Sequence, residues 1–170
     1  MNVIFLDILS ICDTDFKCPK CECPDGVLNT PNYGVQAHAM WKRTNGRFKS
    51  RDEFGAIFDP MAVDCLEYLV HHTGAKVVVS STWRKSGFQV MKDLFKFRNI
   101  DIIGVTPVLN ALRGQEIQIW LQENKHVTNY VILDDNTDFL VDQMDHFVCT
   151  KYGFDHNCMG KAFEIFRGVK

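Results

Sequence analysis

Short apolar runs alternate along this chain with longer segments of helical period. Val3–Leu6 is a compact apolar run and a strand candidate. Residues 60–72 carry Met61, Val63, Leu66, Leu69 and Val70 at helical spacing, with Asp59 suited to the N-cap and Pro60 to the first turn. Gly74 ends that helix, and Lys76–Ser80 follows as a β-branched, buried strand. Residues 87–98 predict a second helix, with Phe88, Val90, Met91, Leu94, Phe95 and Phe97 mostly inward. Ile100–Val105 is the next strand, and residues 114–124 a short amphipathic helix with Ile117, Trp120 and Leu121 on one side. Tyr130–Leu133 is a strand, Phe139–Met144 a helical turn, His146–Thr150 a last strand, and His156–Arg167 a closing helix.

Strand and helix repeated in this order predict one α/β domain over residues 1–170, with a mainly parallel five-stranded sheet between two helical layers. In such sheets the ligand sits at the carboxyl ends of the strands. The polar residues there are Asp7, Ser80 with Ser81, Thr106, and Asp134 with Asp135, and they are expected to converge on one crevice.

Composition adds boundaries. With 170 residues, 46% of them hydrophobic, the chain can bury one good core. A formal net charge of −2 gives no global signature of nucleic-acid or membrane binding. The run Val3–Leu6 is too short for a signal peptide or a membrane span, so the chain reads as cytoplasmic. Of the seven cysteines, Cys65, Cys149 and Cys158 lie in apolar patterns and read as small buried hydrophobes, whereas Cys12, Cys18, Cys21 and Cys23 cluster.

A lone aspartate after a strand can simply cap the next helix, and Asp7 alone would allow that reading. Asp134 and Asp135 together concentrate like charge, which disfavours ionisation unless a cation intervenes. Magnesium is the hard, oxygen-seeking ion that suits such a cluster, with Asp7, Asp134 and Asp135 as ligands. Magnesium beside an aspartate points to covalent phosphoryl transfer, with Asp7 as the nucleophile. Ser80, with its neighbour Ser81, offers hydroxyls to the phosphoryl oxygens. Arg113 offers a charge-assisted fork, and the amides of the helix it precedes favour an anion. Arg84 is either a further phosphate ligand or a surface arginine.

These motifs resemble the haloacid dehalogenase (HAD) superfamily of phosphohydrolases over nearly the whole length. Phe5-Leu-Asp7 resembles the start of its first motif, Val77-Val-Val-Ser80-Ser-Thr-Trp-Arg84 its second, Arg113 the basic residue of its third, and Leu133-Asp-Asp-Asn-Thr-Asp138 its fourth. Ser80–Arg84, Thr106-Pro107, Arg113-Gly-Gln-Glu-Ile117 and Trp120-Leu121 resemble, more narrowly, the small HAD domains of multi-domain RNA-repair proteins and their stand-alone phage and bacterial relatives. The resemblance implies a Rossmann-like three-layer sandwich with a minimal cap, an aspartyl-phosphate intermediate, and a phosphorylated small molecule or nucleic-acid end as substrate.

The chain departs from the family in its first motif, Asp-x-Asp. Leu9 stands where the second aspartate, the general acid/base, belongs, and leucine moves no proton. Removing residues 9–24 joins Asp7-Ile8 to Asp25-Gly-Val-Leu and restores the motif, so residues 9–24 read as a Cys-rich insertion and Asp25 as the displaced acid/base. Loop-closure entropy allows the two aspartates to meet, but a misplacement of about 1 Å can cost roughly a hundredfold in rate. Two outcomes therefore stand: a working phosphatase, or a catalytically inactive HAD-like domain that binds phosphate, metal or a partner. Cys12, Cys18, Cys21 and Cys23 read either as a zinc staple closing the insertion or as free thiols in a loose loop. Residues 31–56, with Lys42, Arg43, Arg47, Lys49 and Arg51 among Tyr33, Trp41 and Phe48, occupy the place of a cap. They read as a solvated flap or as a surface for a phosphorylated polymer end.

Overall fold

The computed structural model of the protein describes residues 1–8, 60–95, 100–151 and 153–168. Asp25, Asp59, the four clustered cysteines and the basic segment 31–56 lie outside the described residues. No observation supports zinc at those cysteines.

Five strands form one sheet: β1 (Asn2–Leu6), β2 (Lys76–Val79), β3 (Ile102–Val105), β4 (Asn129–Asp134) and β5 (Phe147–Cys149). The order is β3-β2-β1-β4-β5 and every pairing is parallel. The order reverses at β1, which pairs with β2 on one side and β4 on the other. Such a reversal opens a crevice at the strands' carboxyl ends.

The period-two pattern of the strands divides the core. Ile4 and Leu6 of β1, Val77 and Val79 of β2, and Val131 and Leu133 of β4 face one layer. There they meet α1 (Pro60–Thr73) through Ala62, Val63, Leu66 and Leu69, α2 (Phe88–Leu94) through Met91, and α4 (His156–Arg167) through Ala162. Val3, Phe5, Val78 and Ile132 face the other layer, against Ile117 and Trp120 of α3 (Arg113–Glu123). Phe5 lies edge-on to Trp120, with ring centroids 5.4 Å apart. The chain is thus a Rossmann-like three-layer α/β sandwich.

Several boundaries differ from the sequence reading by one or two residues, as frayed ends do. Two expectations fail outright: Cys149, read as a buried hydrophobe, is exposed at the end of β5, and Phe88 and Val90 do not face inward. They are 39% and 50% exposed, and among the described side chains of this segment Met91, with Phe95 just past the helix end, enters the core. A helix of seven residues has room for one buried stripe, and Met91 and Phe95, four apart, occupy it. Among the described residues, no helix is long and apolar enough to cross a membrane.

Candidate active site

The sheet's hydrogen bonding builds the site. Just beyond each strand's apolar run, one polar residue donates its backbone N–H to the neighbouring strand. Thr106 donates to Val79 O (3.0 Å), Ser80 to Leu6 O (2.9 Å), Asp7 to Leu133 O (2.9 Å) and Thr150 to Asp134 O (2.8 Å). Register therefore sets Thr106, Ser80, Asp7, Asp134 and Thr150 in a row across the carboxyl end of the sheet. All five are buried. A buried polar side chain without a partner is costly, so unpaired atoms in this row invite a ligand. Among the described residues the hydroxyls of Ser80 and Thr106 have no hydrogen-bond partner.

Asp7 and Asp134 lie side by side because β1 and β4 are neighbours. Asp134 Oδ1 accepts from the Asn136 amide at 2.9 Å, a tight turn that leaves exposed Asp135 next to it. Carboxylate oxygens of Asp7, Asp134 and Asp135 come within 4.8 Å of one another. Among the described residues one cation answers them: Arg113 Nη1 donates to Asp7 Oδ1 at 3.0 Å and lies 2.9 Å from Asp134 Oδ2. The second contact is an ion pair without a directed N–H, so Asp134 Oδ2 remains short of a hydrogen-bond donor.

The electrostatics follow from one guanidinium among several acids. Burial first and the Asp7 charge second raise the pKa of Asp134 from its ordinary 3.8, and with Arg113 and the Asn136 amide only partly opposing them it stands at about 7. Burial also raises Asp7, against Arg113 and the Ser81 hydroxyl, which favour its charged form. Burial disfavours the Arg113 cation, but Asp134 and then Asp7 outweigh burial and its pKa rises. A divalent cation at the three carboxylates would remove the main electrostatic cost. All three offer oxygen, and one buried oxygen lacks a hydrogen-bond donor, so the residues present fit magnesium.

Arg113 is the first residue of α3, and close packing fixes it there. A Cβ on the next residue, Gly114, would stand 2.6 Å from Leu140 N and 2.8 Å from Phe139 Cα, both main-chain atoms. Gln143 completes the clamp, accepting from Leu140 N at 3.1 Å and donating to Gly114 O at 2.9 Å. The first two amides of this helix do not await an outside anion. Arg113 N–H donates to Asp138 Oδ2 (3.3 Å) and Gly114 N–H to Asp138 O (3.1 Å), so a protein carboxylate already occupies that position.

Arg84 also corrects the sequence reading. It is buried, and every guanidinium nitrogen is bonded within the protein. Nη1 donates to Ser80 O (2.6 Å) and Ser81 O (2.7 Å), Nε to Thr106 O (3.1 Å), and Nη2 to Pro107 O (3.3 Å) and Glu116 Oε2. It therefore presents no free fork to a phosphate. Ser81 is buried as well, and its hydroxyl accepts from Trp83 N at 3.4 Å, capping a short 3-10 turn over Thr82–Ser86. Glu116 escaped the sequence reading. Its signal was its place beside Ile117 and four residues before Trp120, on the stripe of α3 that enters the core, where a carboxylate requires a partner.

Residues 24–156 match the family described as the HAD domain in Swiss Army Knife RNA repair proteins, which is 133 of the 170 residues. The chain belongs to this family. The match takes in Asp25, Ser80, Ser81, Arg84, Arg113, Asp134 and Asp135 of the HAD domain, and it opens one residue before Asp25, at the downstream edge of the Cys-rich segment. Asp7, which shares Arg113 with Asp134, precedes the matched region. No curated protein and no solved structure matched the chain.

Proposed function

We propose that this HAD domain is a magnesium-dependent phosphohydrolase that works through an aspartyl-phosphate on Asp7, with nucleic-acid or nucleotide phosphate ends as substrate. One observation carries the reading. A single guanidinium, Arg113, holds Asp7 and Asp134 together at the switch point of the sheet, where three carboxylates gather within 4.8 Å. The RNA-repair setting of the family supports the substrate class.

An oxygen of the Asp7 carboxylate attacks phosphorus, forming one P–O bond while the ester P–O bond breaks. Arg113 favours the charged form of Asp7, against its burial, and holds it in place for that attack. Ser80, whose buried hydroxyl has no protein partner, donates to a phosphoryl oxygen, and Ser81 lies beside it. Asp25 gives the leaving oxygen its proton, then takes one from the water that attacks the phosphorus. That second attack releases orthophosphate and restores the Asp7 carboxylate. Asp7, Asp134 and Asp135 would hold magnesium, which would neutralise charge on the phosphoryl group when bound. The family match opening at residue 24 supports Asp25 as the continuation of the first motif.

The test is phosphate release from 3′- and 5′-phosphorylated oligoribonucleotides and from nucleoside monophosphates. It is run with magnesium and with EDTA, on the parent and on a variant lacking residues 9–24. Magnesium-dependent release by the parent is the expected result. Release only after the deletion would mark the Cys-rich segment as inactivating, the outcome for a domain that binds without turnover. Release by neither protein overturns the hydrolase reading.

A further inference from the structure

We infer that the buried Arg84–Glu116 pair is a positioning device for phosphoryl transfer: it turns the strand-end carbonyls of β2 and β3 away from the phosphate and ties the phosphate-binding serines to the helix that carries Arg113. The inference rests on the phosphoryl-transfer reading of the site, and it follows from where the ten acceptors and donors lie.

The carboxyl end of a parallel strand is an awkward place for an anion, because the last carbonyls present the negative ends of their dipoles there. Here four such oxygens, those of Ser80, Ser81, Thr106 and Pro107, are gathered by one guanidinium. Its five N–H groups are matched by those four carbonyls and Glu116 Oε2, so Arg84 reaches its full donor capacity inside the protein. With the carbonyls engaged, the Ser80 and Thr106 hydroxyls are left as the unpaired polar atoms of these two strand ends.

Glu116 extends the device to the other half of the site. Its Oε2 meets Arg84, and its Oε1 accepts from Leu109 N at 2.8 Å, in the loop that leaves β3. Glu116 lies in the first turn of α3, three residues after Arg113, whose guanidinium holds Asp7. A rigid helical turn thus connects the Ser80–Ser81 loop to the nucleophile's cation. Both side chains of the pair are only 5% exposed, and their opposite charges add no net charge to a site that already holds an excess of acid. Lysine would not replace the arginine: it carries three donors on a flexible stem and cannot engage four carbonyls and a carboxylate in one plane.

The test uses three variants of the full chain: Arg84→Lys, Glu116→Gln, and the double variant Arg84→Met/Glu116→Leu. The double variant guards against misfolding, because replacing a buried ion pair by apolar residues of similar size is often tolerated where breaking it is not. Two readouts are taken on protein whose circular dichroism matches the parent. One is kcat and KM for phosphate release with magnesium. The other is amide hydrogen exchange at Ser80, Thr106 and Leu109, with Val3, Phe5 and Val131 as core controls. A positioning role predicts that kcat falls about 10- to 100-fold in the folded double variant with KM changed by less than about threefold. It also predicts that exchange at the three loop amides speeds by at least about tenfold while the core controls stay put. Parent-like kcat in the folded double variant overturns the inference. If the parent itself releases no phosphate, exchange alone decides the pair, separately from the hydrolase reading: unchanged protection at Ser80, Thr106 and Leu109 overturns the inference.

Discussion

Two arginines stand at the carboxyl ends of the strands, and they are used in opposite ways. Arg84 has one acid, Glu116, and four carbonyls; its donors are all matched and its charge is balanced. Arg113 has two buried acids on one nitrogen, a third carboxylate nearby, and a partner oxygen still short of a donor. Balance of that kind holds a structure in place. Imbalance stores charge that a substrate or a cation can relieve, and this separates the two arginines more sharply than burial does. Both arginine side chains are largely buried, at 5% and 15% exposure, so burial alone would not separate them.

Asp7→Asn breaks the comparison hardest. Asparagine keeps the shape and cannot form an acyl phosphate, so turnover is expected to fall by at least about 10⁴-fold. The same change removes one like charge from the cluster, so the melting temperature in EDTA rises. Retention of activity within about tenfold of the parent would place the nucleophile elsewhere. Arg113→Met comes next. Losing the donor that holds Asp7 is expected to cost about 10²- to 10³-fold in kcat. In EDTA it also leaves two buried carboxylates without a counter-charge, at a cost of about 3–5 kcal/mol, part of which magnesium restores. Equal melting temperatures with and without magnesium in this variant would contradict the imbalance.

The third expectation concerns pH. Folding raises the Asp134 pKa from 3.8 to about 7, so between these values the native state binds more protons than the unfolded chain. The stability associated with that proton is present below about pH 4 and is lost as pH rises through about 7, so metal-free melting temperature declines across this window. Magnesium at about 100 times its dissociation constant adds about 2.7 kcal/mol, or about 5–10 °C for a chain of this size, and flattens the decline. Thermal melts from pH 5 to 8, with EDTA and with magnesium, measure both. A metal-free profile that rises over this range would show the cluster to be balanced after all.

The acid cluster with Arg113 was legible in the chain as a convergence of strand ends, and the Arg84–Glu116 pair was not. Asp7, Asp134 and Asp135 each follow an apolar run that can only be a buried strand, and parallel register then brings their ends together with no further information. Arg113 is marked by its place at the start of a periodic segment. The partnership of Arg84 with Glu116 spans 32 residues and exists only once β2, β3 and α3 are packed. Sequence spacing carries no trace of it beyond an acid on an apolar stripe. The same holds for Asp138, whose carboxylate seats itself on the helix amides expected to meet a ligand, and for Phe88 and Val90, whose apolar character does not reveal that α2 is too short to bury them.

The smallest effect is expected where an ion pair is neither enclosed nor unbalanced. Lys76 Nζ lies 2.9 Å from Asp101 Oδ2, and the two side chains are 41% and 51% exposed. The carbonyl of Asp101 accepts the Val77 amide at 3.0 Å, a sheet-edge bond that a side-chain change leaves intact. Asp101→Asn therefore removes only a solvent-screened attraction, worth at most about 1 kcal/mol, or about 2–4 °C in melting temperature. Activity should be unchanged, since the pair lies near the amino end of β2 and the proposed active site at its carboxyl end. A loss of stability here as large as that of Arg113→Met would mean that distance alone sets the worth of an ion pair in this fold. Near-silence would leave enclosure and charge imbalance as what separates Arg113 from the molecule's other cations.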